Sequence, residues 1–218
     1  MSGLESSLKI NKDAFSHSQI KSKLWLCEHL ERIINEEKAI GNEKARILIH
    51  GGWYGLLSFV LRVRENIDIE HITSIDVVYD SSVIANQINE TWVNEKVSNW
   101  HRGFQAITQD SNKWQYHHGL IGDYSIDIPH SDISVENVII NTSTEHFKND
   151  EWFKNIPDGR LIALQSTDMT HPTHINTVKG LHDMKKRFPM SKYYFKGSKF
   201  FAYSKIKKFY RFMLIGMK

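Results

Sequence analysis

The stretch "NTSTEHFKNDEW" at 141–152 holds the chain's densest set of groups able to do acid–base work. Glu145 and His146 are adjacent there, a carboxylate and an imidazole that can take a proton from an acceptor or orient it. Thr142 and Ser143 add hydroxyl donors. The same residues also suit a helix start, with Ser143 or Thr144 as cap and Glu145 in the favourable first turn. A second set is "HGGWYG" at 50–55, where Gly51, Gly52 and Gly55 interrupt two apolar runs around Trp53 and Tyr54. A third is Asp76 in "SIDVVYD", an acid at the end of a β-rich run.

The histidines raise the question of a metal. There are twelve; His117 and His118 are adjacent, while His171 and His174 flank Pro172. Neutral imidazoles can ligate zinc, iron or nickel together with a carboxylate such as Glu145. The spacing matches no metal motif and no HExxH is present, so the expectation is no bound metal. The single cysteine, Cys27, allows neither an intrachain disulfide nor a cysteine-based zinc site.

What positions these groups is an alternation of strand-like and helix-like segments. Residues 16–39 read as a helix, with Ser16 and Gln19 at capping-box spacing and Ile20, Leu24, Cys27, Leu30 and Ile34 along one face. "ARILIH" (45–50) is a first strand, and "LLSFVLRVR" (56–64) has helical length. "ITSIDVV" (72–78) is a second strand, and 81–97 a helix. Further strands follow at 103–108, 137–143 and 160–166, the last entered through the turn "IPDG", and 175–188 reads as a helix. The end, "KFFAYSKIKKFYRFMLIGMK", reads as two β-rich runs around a short basic turn, which must be antiparallel because a parallel crossover needs a dozen residues or more. The expected fold is α/β, an open and mainly parallel sheet with helices on both faces and an antiparallel C-terminal hairpin. Residues 1–44 are expected to form a helical extension, lid or packing element, and 45–218 the main domain. Lys21, Lys23 and Trp25 of the extension are candidates to cover a ligand.

Ligands of such sheets bind at the carboxyl ends of the strands, where a chain leaving the first strand must turn without blocking them. Glycines permit positive φ and close backbone approach. A phosphate-binding P-loop is excluded, for no Gly-Lys-Ser/Thr is present, and "GGWYGLL" lacks the G-x-G-x-x-G spacing of dinucleotide folds. A carboxylate at the end of the second strand, as at Asp76, can accept hydrogen bonds from both hydroxyls of an adenosine ribose.

The element order, the glycine-rich first turn, the "SIDVV" strand end, the "IPDGRLIAL" approach to the fifth strand and the closing "FYRFMLIG" resemble the class I S-adenosylmethionine-dependent methyltransferases, a Rossmann-like family. The resemblance runs from Ala45 to Lys218. It implies S-adenosyl-L-methionine as cofactor, with Gly51, Gly52 and Gly55 lining its methionine and ribose portion beside His50 and Trp53. It further implies that Asp76 binds the ribose hydroxyls, that Val77 packs beside the adenine, that Asp110 meets the adenine amino group and that Asn141 sits where cofactor and acceptor meet. Two positions depart from the family. Its acidic residue two places before the first loop glycine is Ile49 here, and its middle glycine aligns with Trp53.

The implied activity is methyl transfer to a small-molecule acceptor, with Glu145 and His146 as the catalytic pair. Two other readings stand beside it. In one, the cofactor's aminobutyrate portion is what is transferred, cyclised or eliminated, releasing methylthioadenosine; in the other, the fold is a non-catalytic binding module. A formal net charge of +3 spread over 218 residues does not suggest a nucleic-acid partner. With no apolar run of membrane-spanning length, the expectation is a cytoplasmic protein without membrane contact. The segment 109–136 is long for a connection and is expected to shape substrate access through Trp114, Tyr116 and His117.

Overall fold

The computed structural model describes residues 10–96, 102–116, 136–202 and 208–218. His117, His118 and most of the long connection lie outside the described residues. Seven strands form one sheet: β1 (Ala45–His50), β2 (Ile69–Asp76), β3 (Phe104–Thr108), β4 (Val138–Asn141), β5 (Leu161–Thr167), β6 (Lys192–Ala202) and β7 (Lys208–Met217). Their order across the sheet is β3-β2-β1-β4-β5-β7-β6. The first five are parallel, β7 runs antiparallel to β5, and β6 pairs antiparallel with β7. The expected α/β sheet with a reversed C-terminal hairpin is therefore the observed one.

The register matters for function. His50 pairs with Ile75 of β2 and with Asn141 of β4, and Asp76 pairs with Thr108. The carboxyl ends of four parallel strands thus stop at one level, with the crossover between β1 and β4 at the centre.

Strand alternation sorts the core into two faces. Ile47 and Ile49 of β1 and Val138 and Ile140 of β4 pack with α1 (His17–Asn35) and α2 (Leu56–Arg64). Leu48 and Ile139 point the other way, towards Trp152 and Phe153 of α5 (Glu151–Lys154) and towards α6 (Leu181–Arg187). Beside β2 and β3 lie α3 (Tyr79–Ile88) and α4 (Glu90–Val93).

The N-terminal helix shares a core with the sheet. Trp25, Leu26, Cys27, Leu30 and Ile33 of α1 are buried beside Leu161, Met213 and Ile215. Ser22 and Gln165 of β5 exchange two hydrogen bonds, Oγ to Oε1 at 2.8 Å and Nε2 to the Ser22 carbonyl at 3.0 Å. The Glu31 carboxylate receives Nε and Nη2 of Arg64 at 2.5 and 2.7 Å, fastening α1 to α2. Burial pushes the Cys27 thiol up to about 12, so it stays protonated and is no nucleophile.

Several boundaries differ from the sequence reading. The first helix stops at Asn35, and Ser16 precedes it without a capping bond, because its hydroxyl pairs with that of Ser18 at 3.2 Å. Gln19 is drawn instead to Lys23, whose Nζ donates to its Oε1 at 3.1 Å. The segment expected as a helix over 81–97 is two helices, α3 and α4, joined at the buried Asn89. The segment 175–188 is helical only from Leu181; residues 168–180 form an irregular strap. Among the described residues, no helix is long and apolar enough to cross a membrane.

Candidate functional site

The turn leaving β1 is built on left-handed backbone. Gly51, Trp53 and Gly55 have φ of 63°, 49° and 69°. Trp53 is a non-glycine residue in that region, held there by its surroundings. Its N–H donates to Oδ2 of Asp76 at 3.0 Å, and the Gly52 N–H donates to the Ile75 carbonyl at 3.1 Å. The turn is thereby clamped onto the end of β2. The other Asp76 oxygen, Oδ1, accepts the Val78 N–H at 3.0 Å. Each carboxylate oxygen spends one acceptor site on the backbone and keeps another for a ligand.

The glycines have reasons inside the fold. A Cβ on Gly52 would strike Ser74 Oγ of β2. On Gly55 it would meet Asn89 Nδ2 at 2.7 Å and Ala85 Cβ at 3.0 Å, so α3 packs directly on the turn. On Gly51 it would face Ser143 Oγ at 3.0 Å and the Phe147 ring at 3.2 Å. The glycine turn and the loop after β4 are therefore neighbours. The N-terminal segment covers the turn from outside. Phe15 stacks on Tyr54 at 6.5 Å, the Asn11 N–H donates to Tyr54 Oη at 3.1 Å, and Ala14 packs with Tyr54 and Ile84.

Beyond Asp76 the surface is apolar and open. Val77, Val78 and Tyr79 are 68%, 51% and 70% exposed in succession. Three such residues in a row at the carboxyl edge offer a flat apolar ligand a place to lie. Asp110 stands at the exit of β3, where it caps a 3-10 turn, Ser111–Lys113, accepting the Asn112 N–H at 2.9 Å.

His50 and Asn141 face the interior. His50 is 0% exposed; its Nε2 lies 2.8 Å from Tyr116 Oη and its ring 5.2 Å from that of Trp152. Burial pulls its pKa down to about 3, so the imidazole is neutral. Asn141 is also fully buried; Oδ1 accepts the Ser143 N–H at 2.9 Å. His50 Nδ1 and Asn141 Nδ2, on residues paired in the sheet, have no partner among the described residues. Buried polar atoms left this way are where a ligand or water is expected.

Glu145 and His146 lie on a 3-10 turn, Thr144–His146, directly after β4. Ser143 precedes this turn but makes no side-chain cap bond, so the capping alternative is not the arrangement found. Glu145 is 1% exposed, with Oε1 at 3.8 Å from Arg211 Nη1 of β7 and Oε2 without a partner among the described residues. His146 is exposed. The strap 168–180 brings a third group to this corner. The Asn176 N–H donates to the Glu145 carbonyl at 3.0 Å, and Asn176 Nδ2 donates to the Phe147 carbonyl at 3.1 Å. The His174 ring then stands edge-on to the His146 ring, centroids 4.8 Å apart.

Two residues of this corner escaped the sequence reading as site components. Arg211 is buried and donates from Nη1 to the Thr142 carbonyl at 2.9 Å. Its signal was a lone cation inside the apolar run "FYRFMLIG". Lys23, named only as part of a covering helix, is buried near it; burial, and then the Arg211 charge, lower its ammonium to about 8.

No family model matches the chain, and no curated protein matches it in sequence. Solved structures do match in fold. Magnesium protoporphyrin IX methyltransferase (ChlM) from Synechocystis PCC 6803, crystallised with bound SAM, superposes with a TM-score of 0.56 at 8% identity, over 99% of this chain and 86% of that one. The N-methyltransferase NodS from Bradyrhizobium japonicum WM9 gives 0.53 at 10% identity, over 90% and 96%. Phospholethanolamine N-methyltransferase 2 from Haemonchus contortus, in complex with S-adenosylhomocysteine, gives 0.51 at 7% identity, over 95% of this chain and 59% of that one. The fold is that of the class I S-adenosylmethionine-dependent methyltransferases.

Proposed function

We propose that the protein binds S-adenosylmethionine at the carboxyl edge of β1, β2 and β4 and transfers its methyl group to a small-molecule acceptor. The observation that carries this reading is the clamp between the glycine turn and Asp76, with the exposed Val77–Tyr79 surface beside it. The residues present fit the cofactor. Asp76 keeps one acceptor site on each oxygen for the two ribose hydroxyls, and Val77 offers apolar surface for the adenine, with Asp110 at its edge. Asn141 Nδ2, buried and without a partner among the described residues, is a donor for the carboxylate of the methionine portion, and His50 supplies a neutral wall beside it. Gly51, Gly52, Trp53 and Gly55 shape the passage between these groups.

When bound, the cofactor would supply a methyl group on a sulfonium sulfur for an acceptor lone pair, with S-adenosylhomocysteine as the leaving group. The chain's part is positioning and proton management. His146 is suited to the acceptor end, because Nδ1 donates to the Thr173 carbonyl at 3.0 Å and leaves the Nε2 lone pair open. Glu145 places a carboxylate beside it. The ChlM, NodS and Haemonchus enzymes are named as methyltransferases, which supports the same reaction class here.

Calorimetric titration with S-adenosylmethionine, followed by chromatography of the incubated mixture, tests the reading. Saturable binding that Asp76→Ala removes supports it, and S-adenosylhomocysteine as the nucleoside product identifies methyl transfer. Methylthioadenosine as the product would replace methyl transfer with aminobutyrate chemistry. An absence of binding at millimolar ligand would overturn the cofactor assignment.

A further inference from the structure

The sequence suggested no metal, because the histidine spacing matches no metal motif and no HExxH is present. The fold changes that pairing. One ligand atom from each of Glu145, His146 and His174 lies within 4.8 Å of those of the other two. We propose that these three residues bind one divalent transition-metal ion, with two imidazoles and one carboxylate as ligands and at least one position left open.

Three features argue for a site over a chance cluster. First, both imidazoles are already oriented. His146 Nδ1 meets the Thr173 carbonyl at 3.0 Å and His174 Nδ1 meets the Met169 carbonyl at 2.7 Å. A carbonyl oxygen only accepts, so both Nδ1 atoms carry the proton, and each Nε2 keeps a lone pair to which no donor is seen among the described residues. Metal-ligating histidines are held in this way by a hydrogen-bond acceptor on the nitrogen that does not touch the metal. His171, in the same strap, lacks this arrangement: its Nδ1 accepts the Thr173 N–H at 3.3 Å.

Second, Glu145 is buried with Oε2 unpartnered among the described residues, while Arg211 stands by Oε1 at 3.8 Å, longer than a hydrogen bond. A buried carboxylate oxygen without a donor is costly unless something positive reaches it. Third, the backbone holds the two loops together. The Asn176 bonds to Glu145 and Phe147 fix the strap against the turn, and Arg187 Nη1 donates to the Asn176 carbonyl at 2.7 Å.

Two imidazoles and a carboxylate suit zinc, cobalt or ferrous iron better than magnesium or calcium, which prefer all-oxygen shells. Tetrahedral ligands about 2.0–2.2 Å from zinc lie nearer one another than the present limit, so small side-chain rotations would close the site. Gly51 backs onto Ser143 and Phe147 beside it, so the ion would sit next to the glycine turn. Its role, which rests on the methyl-transfer reading, would be to hold an acceptor hydroxyl or thiol in the open position. There the acceptor's proton is released to water more readily, and its lone pair is left for the methyl carbon.

The test is a cobalt titration of protein dialysed against a chelator, followed by visible absorption, with zinc titrated by calorimetry. The expected result is one saturable equivalent with ligand-field bands. His146→Ala, His174→Ala and Glu145→Gln should each weaken binding at least roughly tenfold, while His182→Ala leaves it unchanged. S-adenosylmethionine binding by the same variants reports that they remain folded. No saturable cobalt bands, or equal binding by the three variants and wild type, would overturn the site. Cobalt binding without any S-adenosylmethionine binding would remove the methyl-transfer reading and leave the metal site standing; folding of the variants would then be followed by circular dichroism.

Discussion

The backbone N–H of Trp53 donates to Oδ2 of Asp76 at 3.0 Å, so the turn that leaves β1 is held by the residue that ends β2. Oδ1 of the same carboxylate takes the Val78 N–H. Asp76→Ala removes both charge-assisted bonds along with the acceptors for a ribose. The expected loss in S-adenosylmethionine affinity is roughly 30-fold or more, from bonds of about 2–3 kcal/mol to a charged group. Asp76→Asn keeps one acceptor oxygen and should lose less. Calorimetry on the two variants checks the order; equal affinity for wild type and Asp76→Ala would move the ribose elsewhere.

Gly52 is a glycine because of Ser74. The absent Cβ would overlap Ser74 Oγ, and Ser74 is buried in the sheet. Gly52→Ala should destabilise the fold by about 1–3 kcal/mol, as overpacking does. Ser74→Ala in the same chain should recover part of that, since the Cβ would then meet the Cβ of residue 74 at 3.2 Å and Ile49 Cγ2 at 3.6 Å. Urea denaturation of the two single variants and the double variant measures the coupling. Additive losses would mean that the close approach is relieved by the backbone instead.

His50 makes stability depend on pH. Its folded pKa lies at about 3 against an ordinary 6.5, because burial disfavours the imidazolium. Between those values the unfolded chain binds the proton and the folded one does not. Its contribution is therefore complete above 6.5 and is lost as pH falls towards 3. The full span amounts to roughly 5 kcal/mol, about 1.4 per unit. His50→Gln, which stays neutral and can still meet Tyr116, should flatten that part of the curve of unfolding free energy against pH. An unchanged slope would assign the acid loss to carboxylates alone.

Much of this fold was legible because it is written in local periodicity. Ile47 and Ile49 alternate with Leu48 and His50, and the two β-rich runs joined by a short turn at the end had to be antiparallel. Asp76 and the glycines were found from their places at strand ends. What escaped was decided by contacts between distant residues. The helix expected over 175–188 starts only at Leu181, because the strap before it spends its polar groups elsewhere. Met169 N–H goes to Thr167 Oγ1, Asn176 N–H to Glu145, and Lys179 N–H to Asp183 Oδ2. His174 was visible as a possible ligand, yet nothing in its neighbourhood in the chain pointed to His146. The glycine turn was read as room for a ligand, whereas Gly52 and Gly55 are also demanded by Ser74 and by α3.

Arg187 is the fastening of the strap, and its removal should loosen one region ahead of the rest. Its Nε and Nη2 grip the Asp150 carboxylate at 2.7 and 2.5 Å, while Nη1 holds the Asn176 carbonyl at 2.7 Å. The planar fork meets three acceptors at once, which a lysine ammonium cannot reproduce. Both side chains of the pair are largely shielded, at 13% and 23% exposure, so Arg187→Ala should cost about 2 kcal/mol through Asp150 left without its partner. Arg187→Lys should recover only part of this. Amide hydrogen exchange gives the sharper reading. Protection should fall first at His174 and Asn176, whose N–H groups hold the strap, and stay high in β1 and β2. A uniform fall across the sheet would mean that the strap and the core open as one unit, and that Arg187 supports the whole fold and not this corner of it.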